Sequence, residues 1–127
     1  MFGMPKHPTL RATALQSRDA IELLSDKWRI AVLHLLTNGV LRTSQLQKAI
    51  DNVSPKMLTQ TLRGMERDGL ITRTVHPVTP PRVEYRLTKM GLGSLGPIRE
   101  LCHWAKIHAA DRDASRAKFD LGAKRLR

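Results

Sequence analysis

The sequence predicts a mainly α-helical fold with one small β-hairpin, and three observations carry that prediction. Between Thr43 and Asp68, two short amphipathic segments, TSQLQKAI and SPKMLTQTLRGMERD, flank the three-residue break DNV. Two alternating stretches follow, Ile71 to Val75 and Val83 to Leu87, joined by HPVTPPR. Apolar stripes at three-four spacing lie before and after them, the mark of helices buried on one side. Two helices across a tight turn, then a hairpin, is the order of a winged helix-turn-helix.

Each element follows from its residues. Residues 1–14 read as a flexible basic arm, and 15–110 as the winged helix-turn-helix domain with its C-terminal dimerisation helix. Residues 111–127 read as a basic tail that extends the last helix and then frays. The first helix is expected from a Ser17 cap, with Ala20, Ile21 and Leu24 on one face. Asp26 caps a second, whose stripe is Trp28, Ala31, Val32, Leu35 and Leu36, and Asn38-Gly39 ends it. Val40-Leu41-Arg42 is a very short strand. Thr43 or Ser44 caps the third helix, with Leu46, Ala49 and Ile50 apolar.

Ser54-Pro55 is a strong helix start, because proline at the first helical position gives up an N–H that has no partner there. Val53 and Leu58 are spaced as a hydrophobic staple, which fixes the angle between the two helices. The helix from Pro55 buries Leu58, Leu62 and Met65, with Met57 and Thr61 at the edge. Lys56, Gln60, Arg63 and Arg67 line its other face, with Thr59 beside them and no acid before Glu66. In the hairpin, Val83, Tyr85 and Leu87 point one way and Glu84 and Arg86 the other. Arg73 shares a face with Ile71 and Val75, which leaves open whether it snorkels, pairs with Glu84 or faces outward. The last helix carries Leu95, Ile98, Cys102, Ala105 and Ala109, widened by Leu101 and Trp104. A stripe of that length past a small domain calls for a cover, and a second subunit is the economical one; folding back on its own core is the alternative.

Composition narrows the partners. With 22 Lys+Arg against 11 Asp+Glu, the net charge of +11 favours a polyanion, either nucleic acid or an anionic membrane surface. Aromatic residues make up 4%, too few for a single-strand stacking platform. Cys102 is the only cysteine, which excludes an internal disulfide and a multi-cysteine metal site. No apolar run has signal-peptide or transmembrane character, so a cytoplasmic protein without a membrane partner is expected.

One motif competes. Gly91 to Gly96, GLGSLG, fits the dinucleotide fingerprint, and Asp111 lies near the distance of a ribose-binding acid. The context opposes it: the preceding strand has a solvent face, no β-α unit follows, and Thr88 reads as a helix cap three residues ahead. The glycines, with Pro97, are better read as loosening the start of the last helix. His103 and His108 fall on different helix faces and make no metal site with Cys102. Cys102 itself reads as a small core residue. No cofactor and no catalytic constellation is expected.

Together the motifs DAIELLSDKW, SPKMLTQTLRGMERDGLITRTV, PPRVEYRLTKMG and LCHW, in that order from about Ala14 to His108, resemble the HxlR-type winged helix-turn-helix regulators of bacteria, relatives of the MarR group. The resemblance implies a homodimeric transcription factor on double-stranded DNA, paired through its first and last helices, with repression the usual outcome. Ile21 then joins Leu95, Ile98, Leu101, Cys102, Trp104 and Ala105 in the expected dimer interface. Several members carry a reactive cysteine just before the first helix; Leu15 stands there, so sensing is left to Cys102 or to a small-molecule effector held between the dimer's helices. Lys56, Thr59, Gln60 and Arg63 are expected in the major groove, with Arg67 on the same face. Ser54 at the helix start, Lys27, Arg42 and Ser44 are expected at phosphates, and Arg82 at the wing. The alternative is a non-specific architectural nucleic-acid-binding protein, which explains the charge but not the mixed Gln/Thr/Arg face.

Overall fold

The computed structural model describes residues 9–126, and the chain divides into two units, the first ending at Gly93 and the second beginning at Ser94. The element order of the first unit is α1 (Thr9–Leu24), α2 (Lys27–Leu35), a 3₁₀ turn (Leu36–Asn38), β1 (Leu41–Arg42), α3 (Thr43–Ala49), α4 (Pro55–Arg67), β2 (Ile71–His76), β3 (Arg82–Leu87) and α5 (Lys89–Gly93). The strands form one antiparallel sheet ordered β1-β3-β2. This is the winged helix-turn-helix that the sequence predicts.

The helix starts are set locally. The Asp26 carboxylate accepts from the Trp28 backbone N–H at 2.7 Å and opens α2. Ser54 Oγ accepts from the Met57 N–H at 3.1 Å and opens α4, with Pro55 in the first turn. α3 is capped differently from expectation. Arg42, not Thr43 or Ser44, holds the cap position, and its backbone N–H donates to Gln45 Oε1 at 2.8 Å. The reason is β1: pairing Arg42 with Glu84 keeps its backbone extended up to the first helical residue. Asn52 takes a left-handed φ of 66° in the turn between α3 and α4, a conformation asparagine tolerates. Gly69 does the same after α4, with φ 78°, so that the Leu70 N–H reaches the Met65 carbonyl at 2.9 Å.

The core of this unit gathers Val32, Leu33 and Leu36 from α2 and its 3₁₀ extension, Leu46 from α3, and Leu58, Leu62 and Met65 from α4. Ile71 and Tyr85 close it from the sheet, and Val53 is buried with Leu58 as the staple requires. Leu33 was not on the expected α2 stripe yet is fully buried, whereas Trp28, Ala31 and Leu35 are half-buried. α2 touches both α3 and α4, so one narrow stripe does not describe what it buries. Ala49, expected inside, is exposed.

α1 begins at Thr9, well before the expected Ser17 cap, so residues 9–14 of the predicted arm are helical; residues 1–8 lie outside the described chain. Leu15 therefore sits within the first helix rather than ahead of it.

The second unit holds α6 (Leu95–Ile107) and α7 (Ala109–Arg125). Pro97 is in the first turn of α6, where no N–H is needed, and Ser94 separates α5 from α6. The predicted fraying tail is a helix of 17 residues, with Asp111 in its first turn and Lys124 and Arg125 in its last, matching the helix dipole at both ends.

Candidate nucleic-acid interface

α4 presents a divided surface. Leu58, Thr61, Leu62 and Met65 are buried, while Lys56, Thr59, Gln60, Arg63 and Arg67 are exposed. Among the described residues, Lys56, Gln60 and Arg63 make no ion pair and no side-chain hydrogen bond. Thr59 donates its hydroxyl to the Pro55 carbonyl at 2.9 Å, which leaves its oxygen lone pairs facing outward as acceptors. Arg67 is in a different setting: it borders a recess also lined by Asp19 and Glu22 of α1.

A cleft of about 600 Å³ runs between the start of α3 and the hairpin loop, lined by Arg42, Ser44, Pro80, Pro81 and Arg82. It brings together three residues, Arg42, Ser44 and Arg82, that the sequence assigned separately to phosphates and wing. Arg82 is the first residue of β3, directly after the loop. The strands run one residue further than predicted, pairing His76 with Arg82. Arg82 Nη1 is 3.7 Å from Glu84 Oε1, and His76 Nε2 lies 3.2 Å from the same oxygen without the alignment of a hydrogen bond. Lys27 places its Nζ 4.7 Å from the centre of the Trp28 ring and lines neither this cleft nor the α4 surface.

A smaller recess of about 310 Å³ lies between α4 and the sheet, lined by Thr43, Thr59, Arg63, Glu66, Arg73 and Tyr85. Arg73, Thr43 and Glu66 were not assigned a site from the sequence. The signal for Arg73 was its place on the inner face beside Ile71 and Val75. Its register partner is Tyr85, and Glu84 is opposite Thr74 and engaged by His76 and Arg82, so the Arg73–Glu84 pairing does not form.

The residues expected at a dimer interface divide. Leu95 and Ile98 are 2% and 4% exposed in the single chain. Ile21, Leu101, Cys102 and Trp104 are exposed, and Ala105 is half-buried. Cys102 is thus corrected from core to surface: the apolar stripe of α6 is buried only over its first turn, and Cys102 lies beyond it. The GLGSLG stretch spans α5, Ser94 and the start of α6 rather than a strand-to-helix turn. Thr88 caps α5 as expected, accepting from the Gly91 N–H at 3.0 Å while donating to the Gly69 carbonyl at 2.6 Å. No helix among the described residues is long and apolar enough to cross a membrane.

Fold and face together define a winged helix-turn-helix DNA-binding regulator of transcription. A family model described as HxlR-like helix-turn-helix matches residues 23–113, and the chain belongs to that family. It is 46% identical over 89 residues to the uncharacterized HTH-type transcriptional regulator YkvN of Bacillus subtilis, covering 69% of this chain and 75% of that one. An uncharacterized HTH-type transcriptional regulator of Methanothermobacter thermautotrophicus is 39% identical over 99 residues, 78% of this chain and 76% of its own. Among solved structures, one described as a transcriptional regulator of the MarR family from Enterococcus faecalis superposes with a TM-score of 0.69 at 31% identity, covering 88% of this chain and 97% of that one.

Proposed function

We propose that this chain acts as a homodimeric repressor on a palindromic operator, in the cytoplasm. Lys56, Thr59, Gln60 and Arg63 read the major groove. Arg42 and Ser44, with the N-terminus of α4 at Ser54 and with Lys27, hold phosphates, and Arg82 serves the wing. The observation that carries this reading is the exposed α4 face, whose cations and amide have no partner within the described chain. Arginine forks onto guanine and glutamine onto adenine, so such a face suits base edges, while the phosphate contacts set register without reading sequence. The dimer brings together exposed Ile21, Leu101, Cys102 and Trp104, and a small-molecule effector is held between its helices.

Selection of binding sites from a random duplex pool tests the reading. The expected result is a palindrome with half-sites about one helical turn apart. Enrichment of no sequence favours the non-specific architectural alternative. A salt titration with no slope on any duplex rejects DNA binding, since each neutralised phosphate adds about 0.9 to the log–log slope.

A further inference from the structure

We propose that Arg73 and Arg63 together hold a backbone phosphate of the duplex in the recess between α4 and the sheet. The proposal rests on the DNA-binding reading above and adds a phosphate-holding residue to it, Arg73 of β2. Arg73 lies opposite Tyr85, which is buried, on the sheet face that carries Ile71 and Val83. It thereby lines the same recess as Arg63 and the hydroxyl-bearing Thr43 and Thr59. Neither arginine has an ion pair or a side-chain hydrogen bond among the described residues, and the single carboxylate lining the recess, on Glu66, pairs with neither.

Two guanidinium groups facing one concavity repel each other, and the repulsion is larger beside a protein wall than in open water. An anion between them reverses its sign. Guanidinium matches phosphate oxygens two at a time, and the Thr43 hydroxyl at the rim adds a neutral donor, so the recess fits a phosphate better than a carboxylate side chain or a base edge. The recess adjoins the exposed face of α4, so a groove read by Gln60 and Arg63 brings its own strand's phosphate to Arg73.

The test uses the full chain, a selected duplex and a random-sequence duplex, with affinity read by fluorescence anisotropy across a salt series. Arg73→Ala is expected to lower the log–log salt slope by about 0.9 and to weaken both duplexes by the same factor. Arg73→Lys, which keeps the charge, is expected to restore the slope; Arg73→Gln replaces the alanine variant should thermal melting show the latter unfolded. An unchanged slope overturns the proposal, and so does a loss confined to the selected duplex, which would make Arg73 a base reader. Replacing chloride by inorganic phosphate at constant ionic strength separates the two phosphate sources. Displacement of duplex from the wild type but not from Arg73→Ala supports the backbone assignment, whereas inorganic phosphate bound by the wild type and not by Arg73→Ala, with the same duplex salt slope in both, would assign the recess to free phosphate and overturn it. A wild type with no salt dependence defeats the DNA-binding reading itself, whereas a steep wild type matched by Arg73→Ala defeats only the role of Arg73.

Discussion

Arg29 and Asp68 are joined by a 2.7 Å contact from Nη1 to Oδ2, although 39 positions separate them in the chain. The same Nη1 donates to the Leu23 carbonyl at 3.2 Å, and a Cβ added at Gly64 would come within 2.8 Å of Arg29 Nη2. One guanidinium therefore links the end of α1, the start of α2 and the end of α4. The pair is mostly shielded, with side chains 16% and 25% exposed. Asp68→Ala leaves Arg29 shielded with one carbonyl partner, and the expected loss is about 1–3 kcal/mol in urea unfolding. A loss below about 0.5 kcal/mol would put the pair in the class of solvent-exposed ion pairs. Gly64→Ala should be milder, because the atom it meets is the far end of a flexible side chain.

The glycines of GLGSLG give a second prediction. A Cβ at Gly91 would lie 2.1 Å from the Leu70 carbonyl oxygen, a backbone atom that cannot swing away. Gly91→Ala is expected to destabilise by about 3 kcal/mol or to prevent folding. Nothing lies within 4 Å of a Cβ at Gly93 or Gly96. Alanine at those two positions should raise stability by about 0.5–1 kcal/mol each through helix propensity, measured by thermal and urea unfolding, with DNA affinity unchanged. A loss of DNA binding in the Gly93 and Gly96 variants would contradict their reading as residues that only loosen the chain between the end of α5 and the start of α6.

For the reading face, Arg63→Ala is expected to weaken both duplexes through the phosphate it shares with Arg73, and to cost about 1–3 kcal/mol more on the selected duplex if its fork also meets a base. Equal losses on both duplexes would make Arg63 a phosphate contact alone. Gln60→Ala should relax selection at one base position, visible as a broadened site in a repeated selection.

Leu101→Glu combined with Trp104→Glu is expected to convert a dimer to a monomer in sedimentation velocity, since both side chains are more than 60% exposed in one chain. Ile98→Ala should act differently. It removes a buried side chain from the folded monomer, with an expected loss of about 2–5 kcal/mol in stability and no specific effect on assembly. A doubly substituted chain that still sediments as a dimer would move the interface off α6.

Local chemistry was legible in the sequence. The caps at Asp26, Ser54 and Thr88, the Val53–Leu58 staple and the buried side of α4 all depend on residues within four or five positions of one another, where spacing is enough. What depends on distant partners was not. The Arg29–Asp68 contact joins helices far apart in sequence, and neither residue carries a motif that announces the other. Ala49 and Cys102 are apolar or small at plausible spacings, but the elements around them do not cover those positions. α1 and α7 outran their predicted limits because their extra turns bury almost nothing, and a search for apolar stripes passes over a helix held by propensity and charge. On the candidate interface, the α4 face was readable from periodicity alone, whereas the meeting of Arg63 with Arg73 required the fold of the sheet over the helix.

Glu84 gives the wing an internal counter-ion. Arg82 and His76 both flank its carboxylate, so in the proposed wing contact Arg82 trades one anion for another when it meets a phosphate. Only the difference between the two attractions then favours binding, and random DNA gains little from it. Replacing that carboxylate by an amide in Glu84→Gln removes the competitor: affinity should rise by the same factor for selected and random duplexes, because a phosphate contact reads no sequence. A single acidic side chain on β3 would thus act as a brake against indiscriminate adhesion in a chain that carries eleven excess positive charges.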